Sequence, residues 1–587
     1  MRRWSATATV VGCALLLLAP SITAQPDEVK KLQAEVKELK SLIEKQRKDF
    51  ESRIDELNTR VDEGIEQELG QRIAEIVAEK SKFYRRPLGD RRGEAVAASK
   101  VSIFDALQGG LIFTGLFRTR MEYRANNVDF NSGDDGLDDE GVRFNGRFRL
   151  GFGAVVVKGG PDDPEVVALT EFQATGTLSN NTYFSFIGPG GVPLPREFTI
   201  FKEPFEQVDI YQGYIDFKRV FADELYVKLG RQEAVFGNEF IFGNNSFYDG
   251  TVHDGIHVEW ITDDFRLSGF GFKESQSDTE LAVIIPGDDF DEDWLAGVYA
   301  SWDVEVEHLT IDAYAVYFDA RSNFTDSFVT RSTALALDGA FNPAILGHFW
   351  TLGARVFAYD LDVFDGTLSI NGEAAFQTGS NGVAAGVPGG LDNQSIHGWS
   401  TELLLNYWFP SDDGVQPILS LSYYYAGGGE QNENTANGFP NNHIGFQPLF
   451  INRHFDMPDR AVTSEPYHAG GGRYGNMDLV PLNNTHVIKL ALTIAPTDEI
   501  ELGLGGIMSI IADDEGYGTG VFGYEVDLFG SYQYEENVRF AANLSLFIPQ
   551  SGAEDFSNYY FFSSFGATGT ADQDISLAFY LQALISF

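Results

Sequence analysis

The residues able to do chemistry in this chain are arginines set at alternate positions. Arg118, Arg120 and Arg124 fall in one stretch, and Arg143, Arg147 and Arg149 in the next. Between them stand Phe113, Phe117, Met121 and Tyr123, then Val142, Phe144, Phe148 and Phe152. A guanidinium is a planar fork that matches carboxylate or phosphate oxygens in pairs. Six forks on two neighbouring segments form a ladder for anions. Arg355, Lys489 and Arg539 occupy comparable alternate positions further on. So do the carboxylates Glu122, Glu171, Asp216, Glu373, Glu402, Glu501, Glu525 and Asp527. In a pore, rings of arginine and lysine select anions and rings of carboxylates select cations. The chemistry is recognition of charge, without bond making.

Catalytic and metal-binding patterns are weak. The nine histidines show no HExxH and no paired spacing, and His253-Asp254 lacks a nucleophile in a recognisable motif. The acidic runs Asp134–Glu140 and Asp288–Asp293 offer oxygen ligands for Ca²⁺, but neither has EF-hand spacing, and solvated loops are the expected reading. No cofactor, metal site or catalytic residue is expected.

Alternate residues share a face only on a β-strand. From about residue 110 the chain reads as eighteen candidate strands, near 111–124, 142–157, 165–176, 207–218, 224–232, 254–262, 265–273, 294–302, 308–319, 349–360, 366–378, 398–409, 415–426, 485–495, 500–511, 521–533, 537–547 and 573–587. An apolar face opposite a row of arginines suits lipid outside and a polar lumen inside, and a soluble core has no place for that row. Short links such as Thr262–Asp264 and Tyr534–Asn537 alternate with long ones such as 125–141, 320–348 and 427–484. Bacterial barrels have this asymmetry, with short periplasmic turns and long outer loops. The last strand alternates up to Phe587, an aromatic ending of the kind such barrels carry. The 62 Gly, 48 Phe and 24 Tyr fit barrel strands with aromatic girdles. The expected fold is all-β, a transmembrane antiparallel barrel of about eighteen strands over 110–587.

The N-terminal part differs. Arg2 and Arg3 precede an apolar run from Val10 to Ala19 and a small-residue site at Ser21–Ala24, which reads as a signal peptide over 1–24. The one cysteine, Cys13, falls inside it, so the exported chain would hold no disulfide or thiolate metal site. Over 25–80, Val29, Leu32, Val36, Leu39 and Ile43 mark a heptad seam, continued with stutters by Phe50, Ile54, Leu57, Val61 and Ile65. A periplasmic coiled-coil helix that makes a homotrimer is expected there, with a single amphipathic helix as the alternative, and a linker over 81–109. A net charge of −44 argues against nucleic acid as a partner. Outer-membrane lipids and a solute are the expected partners.

The barrel region resembles the alginate-export-like outer-membrane porins. The resemblance rests on Leu229-Gly230-Arg231-Gln232, Phe236-Gly237-Asn238, Phe240 and Asp254-Gly255-Ile256, with echoes in Gly523–Leu528 and Phe455-Asp456-Met457. Members tend to read Gly-Arg-Gln, aromatic-Gly-Asp and Arg-x-Phe-Asp-Gly-Val. Here Asn238 stands in place of Asp, and Thr251 and His253 in place of Arg and Phe. The resemblance implies an eighteen-strand channel and an inward Arg231, helped by a bend near Gly230. Arg231 has the parity of Leu229, so its own strand pattern does not turn it inward.

The function expected is passive diffusion of an anionic solute, a uronate saccharide or other organic acid, through the bacterial outer membrane. The alternatives are a general or cation-preferring trimeric porin, a barrel-based outer-membrane enzyme and a cell-wall tether. The coiled coil is testable alone. Placing Asp at Leu32 and Leu39 buries uncompensated charge in the seam and should dissociate the oligomer. Mass measurement of the solubilised protein decides it, and a monomer both before and after the change overturns the expectation.

Overall fold

The computed structural model describes residues 111–586 apart from 127–140, 158–164, 178–207, 245–249, 276–292, 305–307, 321–346, 382–394, 411–414, 428–442, 450–472, 513–519, 558–571 and a few isolated positions. The expected signal peptide, coiled coil and linker lie outside the described residues. So do both acidic runs apart from Asp293, the echo at 455–457, and Phe587.

The strands are β1 (Leu111–Ala125), β2 (Gly141–Val157), β3 (Glu165–Thr177), β4 (Val208–Lys218), β5 (Leu225–Gln232), β6 (His253–Ile261), β7 (Phe265–Ser275), β8 (Asp293–Asp303), β9 (Leu309–Ala320) and β10 (Gly347–Val363). They continue as β11 (Gly366–Asn381), β12 (Ser395–Trp408), β13 (Ile418–Ala426), β14 (His443–Ile444), β15 (Thr485–Thr497), β16 (Ile500–Ile511), β17 (Gly520–Glu535), β18 (Val538–Pro549) and β19 (Ser576–Ser586). A seven-residue helix, α1 (Ser551–Ser557), precedes β19 and was not expected from the sequence. All nineteen strands share one sheet, and β14 is a two-residue piece set parallel against β12. The other eighteen form the wall. Each pairs antiparallel with its sequence neighbour, and β1 pairs with β19, from Leu116↔Ser586 to Ala125↔Leu577. The expected eighteen-strand barrel is therefore the one present, and it is closed.

Alternation is visible strand by strand. On β12, Ile396, Gly398, Ser400, Glu402, Leu404 and Asn406 are buried, while His397, Trp399 and Leu403 are exposed. Phe117, Phe144, Phe148 and Phe152 project outward, whereas Arg118, Arg120, Arg147 and Arg149 are buried inside. The outer belt carries tryptophans at 260, 294, 302, 350 and 399. An apolar outer band with aromatic residues is the surface a bilayer requires. The short links share one end of the barrel. Between β10 and β11 the turn is Phe364-Asp365, with φ of 48° and 63°, the left-handed pair that suits the twist of a two-residue hairpin.

Two loops from the opposite end turn into the barrel. In the β5–β6 loop, Ala234, Phe236, Phe240, Ile241 and Phe242 are buried. Phe236 stacks on Tyr299 of β8 at 4.8 Å and on Phe270 of β7 at 5.3 Å. The β13–β15 loop buries Phe446, Leu449, Tyr474, Met477, Leu479, Val480 and Leu482. These two loops and the inner wall share a single apolar cluster, so the core of this protein is the plugged lumen.

The outer belt makes a stability prediction. Leu504, Leu528 and Leu544 lie in register on the outer face of β16, β17 and β18. Leu504→Arg should cost about 2–4 kcal/mol if it meets mid-bilayer, while Glu499→Arg in the short turn should stay within about 0.5 kcal/mol of the parent. Reversible urea unfolding in lipid vesicles measures both. Equal stability of Leu504→Arg and the parent would mean that this face does not meet hydrocarbon.

Candidate functional site

The inner wall separates charge. β1 and β2 contribute Arg118, Arg120, Arg124, Arg147 and Arg149, all facing the lumen, against the single carboxylate Glu122. Arg143 is paired in register with Glu122, but its side chain lies outside the described set. Half a circuit away, β9, β11 and β12 contribute Asp312, Glu373 and Glu402. Arg118 stands directly across from Arg147, and Glu373 directly across from Glu402. Like charges facing one another on adjacent strands destabilise a sheet.

On the arginine wall the guanidiniums are held in fixed poses. Arg120 donates from Nε and Nη2 to Oε1 of Gln582 on β19, at 2.8 and 2.6 Å, and from Nη1 to Glu122 at 3.2 Å. Arg149 donates from Nε to Gln173 on β3 at 2.5 Å and lies 3.5 Å over the ring of Tyr211. Tyr211 in turn donates to Glu233 at 2.6 Å. Tyr211 faces inward because the β3–β4 register slips between Glu171 and Phe172, a bulge that turns two successive side chains, Tyr211 and Gln212, toward the lumen. The amides of Gln582 and Gln173 are neutral acceptors that orient the forks, while Glu122, and Glu233 at 4.0 Å from Nη1 of Arg149, place negative charge beside them.

On the opposite wall the charges are paired. Nε of Arg355 and the hydroxyl of Tyr299 both donate to Oδ2 of Asp312, at 2.5 and 2.6 Å. Tyr314 donates to Glu373 at 2.8 Å and stacks on Tyr299 at 5.7 Å. The two terminal nitrogens of Arg355 are buried and have no hydrogen-bond partner among the described residues. Gly237 of the β5–β6 loop rests here with φ of +55°. A Cβ on it would come within 2.7 Å of the Tyr299 hydroxyl and 3.3 Å of Nε of Arg355. The glycine of Phe236-Gly237-Asn238 is thus required both by its conformation and by this close approach.

A buried latch joins the two infolded loops to the wall. Arg473 of the β13–β15 loop forms a two-pronged ion pair with Glu402, Nε to Oε1 at 2.6 Å and Nη2 to Oε2. Its Nη1 donates to the backbone oxygen of Asn238 at 2.8 Å, and Asn238 Nδ2 donates to Glu402 at 2.8 Å. Tyr474 adds a hydroxyl to the same carboxylate at 2.9 Å. Beyond it the segment reaches β17, where Oε1 of Glu525 accepts the backbone N–H groups of Asn476 and Met477 at 2.6 and 3.0 Å. Arg124 closes the span by donating to the Met477 carbonyl at 3.3 Å. The loop segment 473–477 therefore runs across the lumen, from β12 to β17 and β1.

Most of the pore-lining positions expected from parity do face inward: Arg118, Arg120, Arg124, Arg147, Arg149, Arg355, Lys489, Arg539, Glu122, Glu373, Glu525 and Asp527. Arg539 sits toward the short-turn end, with Ser531 at 2.9 Å and Glu501 at 3.8 Å. Arg231 is a correction. It shares the outer face with Leu229, paired with Asp254 across β5–β6, while its neighbour Gln232 points inward. Gly230 has φ of +122°, yet the register runs through it without a shift, so no bend turns Arg231 around. Missing from the sequence reading were Asn238 as a latch residue, Arg473, Tyr474, Tyr211 and Gln582. The one sequence cue for the latch was an arginine set among glycines, Gly472-Arg473-Tyr474-Gly475.

The latch can be tested by a double-mutant cycle. Removing one partner, by Glu402→Leu or Arg473→Met, leaves a buried charge uncompensated and should cost about 3–5 kcal/mol. The double change should cost less than either single one, measured as unfolding midpoints together with protease cleavage of the β13–β15 loop. Additive losses would show that the two side chains are not coupled.

Several solved structures, an outer-membrane protein among them, are similar. OprD from Pseudomonas aeruginosa is 10% identical, with 81% of this chain and 93% of that one covered at a TM-score of 0.46. OpdK of Pseudomonas aeruginosa, solved with vanillate, is 11% identical, with 81% and 99% covered at 0.46. OccK8 (OprE) of the same organism is 10% identical, with 81% and 98% covered at 0.46. No curated protein sequence matches. The model of the alginate export family matches residues 164–506, which takes in Leu229–Gln232, Phe236–Asn238 and Asp254–Ile256 and leaves out β1, β2 and the Gly523–Leu528 echo. With more than half of its length matched and its wall closed by eighteen strands, the chain belongs to the alginate export family of outer-membrane barrels.

Proposed function

We propose that this barrel is a passive channel for an anionic solute, a uronate saccharide or another carboxylate, and that it performs no reaction and uses no cofactor. The observation that carries this reading is the like-charge pair Arg118↔Arg147 within a wall of five inward arginines on two strands. Like charges in register cost stability, and an anion passing along this wall would meet five fixed guanidiniums. Gln582 and Gln173 hold Arg120 and Arg149 through neutral oxygens, beside the carboxylates of Glu122 and Glu233, and a solute carboxylate would displace the amides because hydrogen bonds between ions are the stronger ones. Carboxylates on the far wall keep the lumen from becoming a permanent anion trap, since conduction needs binding that is favourable but weak. The terminal nitrogens of Arg355 add donors on that far side. Passage requires the segment 473–477 to move, because it crosses the lumen.

One observation favours a second reading. The net charge of −44 gives the approach to the pore a negative field, which would suit a general or cation-preferring porin. The proposed trimer, the coiled coil in the periplasm and the cell-wall tether rest on residues 25–80 and are compatible with either reading.

Reversal potential in a planar bilayer under a KCl gradient separates the two. Anion selectivity is expected, with current block by oligosaccharide acids. In Arg147→Ala and in Arg149→Ala both effects should weaken. Cation selectivity with no block by any carboxylated sugar would overturn the anion channel.

A further inference from the structure

We propose that the lumen holds a binding site for a zwitterionic aromatic amino acid, formed by β7 to β11 and filled here by Phe236 of the chain's own β5–β6 loop. The ring part of the site is a slot. Phe236 lies between Phe270 of β7 and Tyr299 of β8 and stacks on both, at 5.3 and 4.8 Å with interplanar angles of 27° and 19°. Tyr314 of β9 extends the column beyond Tyr299 at 5.7 Å, with an interplanar angle of 5°. His257 of β6 meets the Phe236 ring edge to face at 5.5 Å. Phe270, Tyr299, Tyr314 and His257 are set by the wall strands, and only Phe236 comes from a loop. Without that one ring the wall presents two aromatic faces with a ring's thickness between them. Stacking there adds to the gain from burying a flat ligand.

The polar part of the site adjoins the slot. Gly237, the residue after Phe236, rests against the Tyr299 hydroxyl and Arg355. Asp312, Arg355 and Glu373 stand in one row across β9, β10 and β11. Tyr299 and Arg355 share Oδ2 of Asp312, and Tyr314 holds Oε1 of Glu373. The other atoms of these three groups are unspent. Nη1 and Nη2 of Arg355, Oδ1 of Asp312 and Oε2 of Glu373 are buried and have no hydrogen-bond partner among the described residues. Buried polar atoms left unpaired are costly, and here donors and acceptors are left together. A plain carboxylate would suit the fork and meet two like charges. A plain amine would suit the two carboxylates and meet the fork. An α-amino acid answers both, with its carboxylate on the Arg355 nitrogens and its ammonium donating to Asp312 and Glu373. With its ring in the place of Phe236, its charged end lies where Gly237 rests, so binding lifts the β5–β6 loop from the wall. The site is separate from the arginines of β1 and β2, and each can hold or fail alone.

The test uses the full chain purified in nonionic detergent, in equilibrium dialysis against L-phenylalanine, 3-phenylpropionate, phenethylamine and L-leucine. Phe236→Ala removes the internal occupant and should bind L-phenylalanine at least tenfold more tightly than the parent does. In that variant L-phenylalanine should also bind at least tenfold more tightly than the three analogues, which lack in turn the ammonium, the carboxylate and the ring. Gly237→Ala, which pushes the loop off Tyr299 and Arg355 and leaves every wall residue in place, should tighten binding in the same way. Adding Arg355→Gln with Asp312→Asn to Phe236→Ala removes the ion pair as a unit. It should abolish the preference over 3-phenylpropionate and phenethylamine, while the heat-modifiable gel shift confirms a folded barrel. In the parent, L-phenylalanine should speed cleavage by a glutamate-specific protease after Glu239, which is buried while the loop is seated. Equal binding of 3-phenylpropionate or of phenethylamine would overturn the zwitterion site, and equal binding of L-leucine would overturn the slot. Parent-like affinity in both Phe236→Ala and Gly237→Ala would overturn the proposal as a whole. Loss of anion selectivity in the bilayer with this binding intact would overturn the anion channel alone.

Discussion

The constraint on which this structure depends is that no backbone N–H or C=O can be left unpaired in hydrocarbon. An open sheet has two edges, and each edge would carry a row of such groups. The β1–β19 ladder removes them by joining Leu116–Ala125 to Leu577–Ser586. Once the sheet is closed, every strand has one lipid face and one lumen face, and side-chain period two does the sorting. That sorting sends Phe117 and Phe148 out and Arg118 and Arg147 in. The charge of the lumen follows from closure together with the sequence pattern.

Closure also creates a volume that must be filled or left to water. This chain fills it with its own loops. Phe236, Phe240 and Phe242 meet the inward aromatics Phe270, Phe272 and Tyr299, so an apolar cluster forms inside a charged cylinder. Loops with buried backbone need partners for their polar groups. Glu402 and Glu525 supply them, the first to Arg473, Tyr474 and Asn238, the second to the Asn476 and Met477 N–H groups. Inward carboxylates thus hold the plug together with one inward arginine, Arg124. Two of them hold the plug, and the arginines of β1 and β2 stand on the wall half a circuit from Glu402. Asn238, where the family pattern has Asp, suits this arrangement. An aspartate there would bring a second carboxylate against Glu402 to share one arginine, and an amide can donate to Glu402 instead.

How far the sequence disclosed this follows from the range of each interaction. Alternation is local, so the strands, their number and the inward set including Lys489, Glu373 and Asp527 were legible from period two alone. The β10–β11 hairpin and the short-turn end were legible for the same reason. The latch was not, because Asn238, Glu402 and Arg473 are separated by 164 and 71 positions and no local pattern records their meeting. The β4 bulge that turns Tyr211 over Arg149 was also hidden, since one extra residue leaves no mark on an apolar-polar string. Arg231 was misplaced for a different reason. Its own parity with Leu229 gave the outer face correctly, and the resemblance set that aside in favour of a bend that Gly230 does not make.

That misplacement shows what the family motif does in this fold. Gly230 adopts φ of +122°, and a Cβ there would lie 2.2 Å from the Gly213 carbonyl oxygen, so it lets β4 and β5 approach closely. Arg231 and Asp254 tie β5 to β6 from outside, just where the chain leaves the wall to enter the lumen. Gln232 and His253, the next pair in register, face inward, and His253 stacks on Phe272 at 5.0 Å in the position where the pattern has Phe. Phe236 and Gly237 then seat the loop against Tyr299 and Arg355. Read as geometry, the motif anchors a short hairpin and its inserted loop. The inward arginines of β1 and β2 lie outside the stretch matched to the family. In this chain the shared motif therefore seats the plug, while the arginine wall is built by strands that the motif does not include.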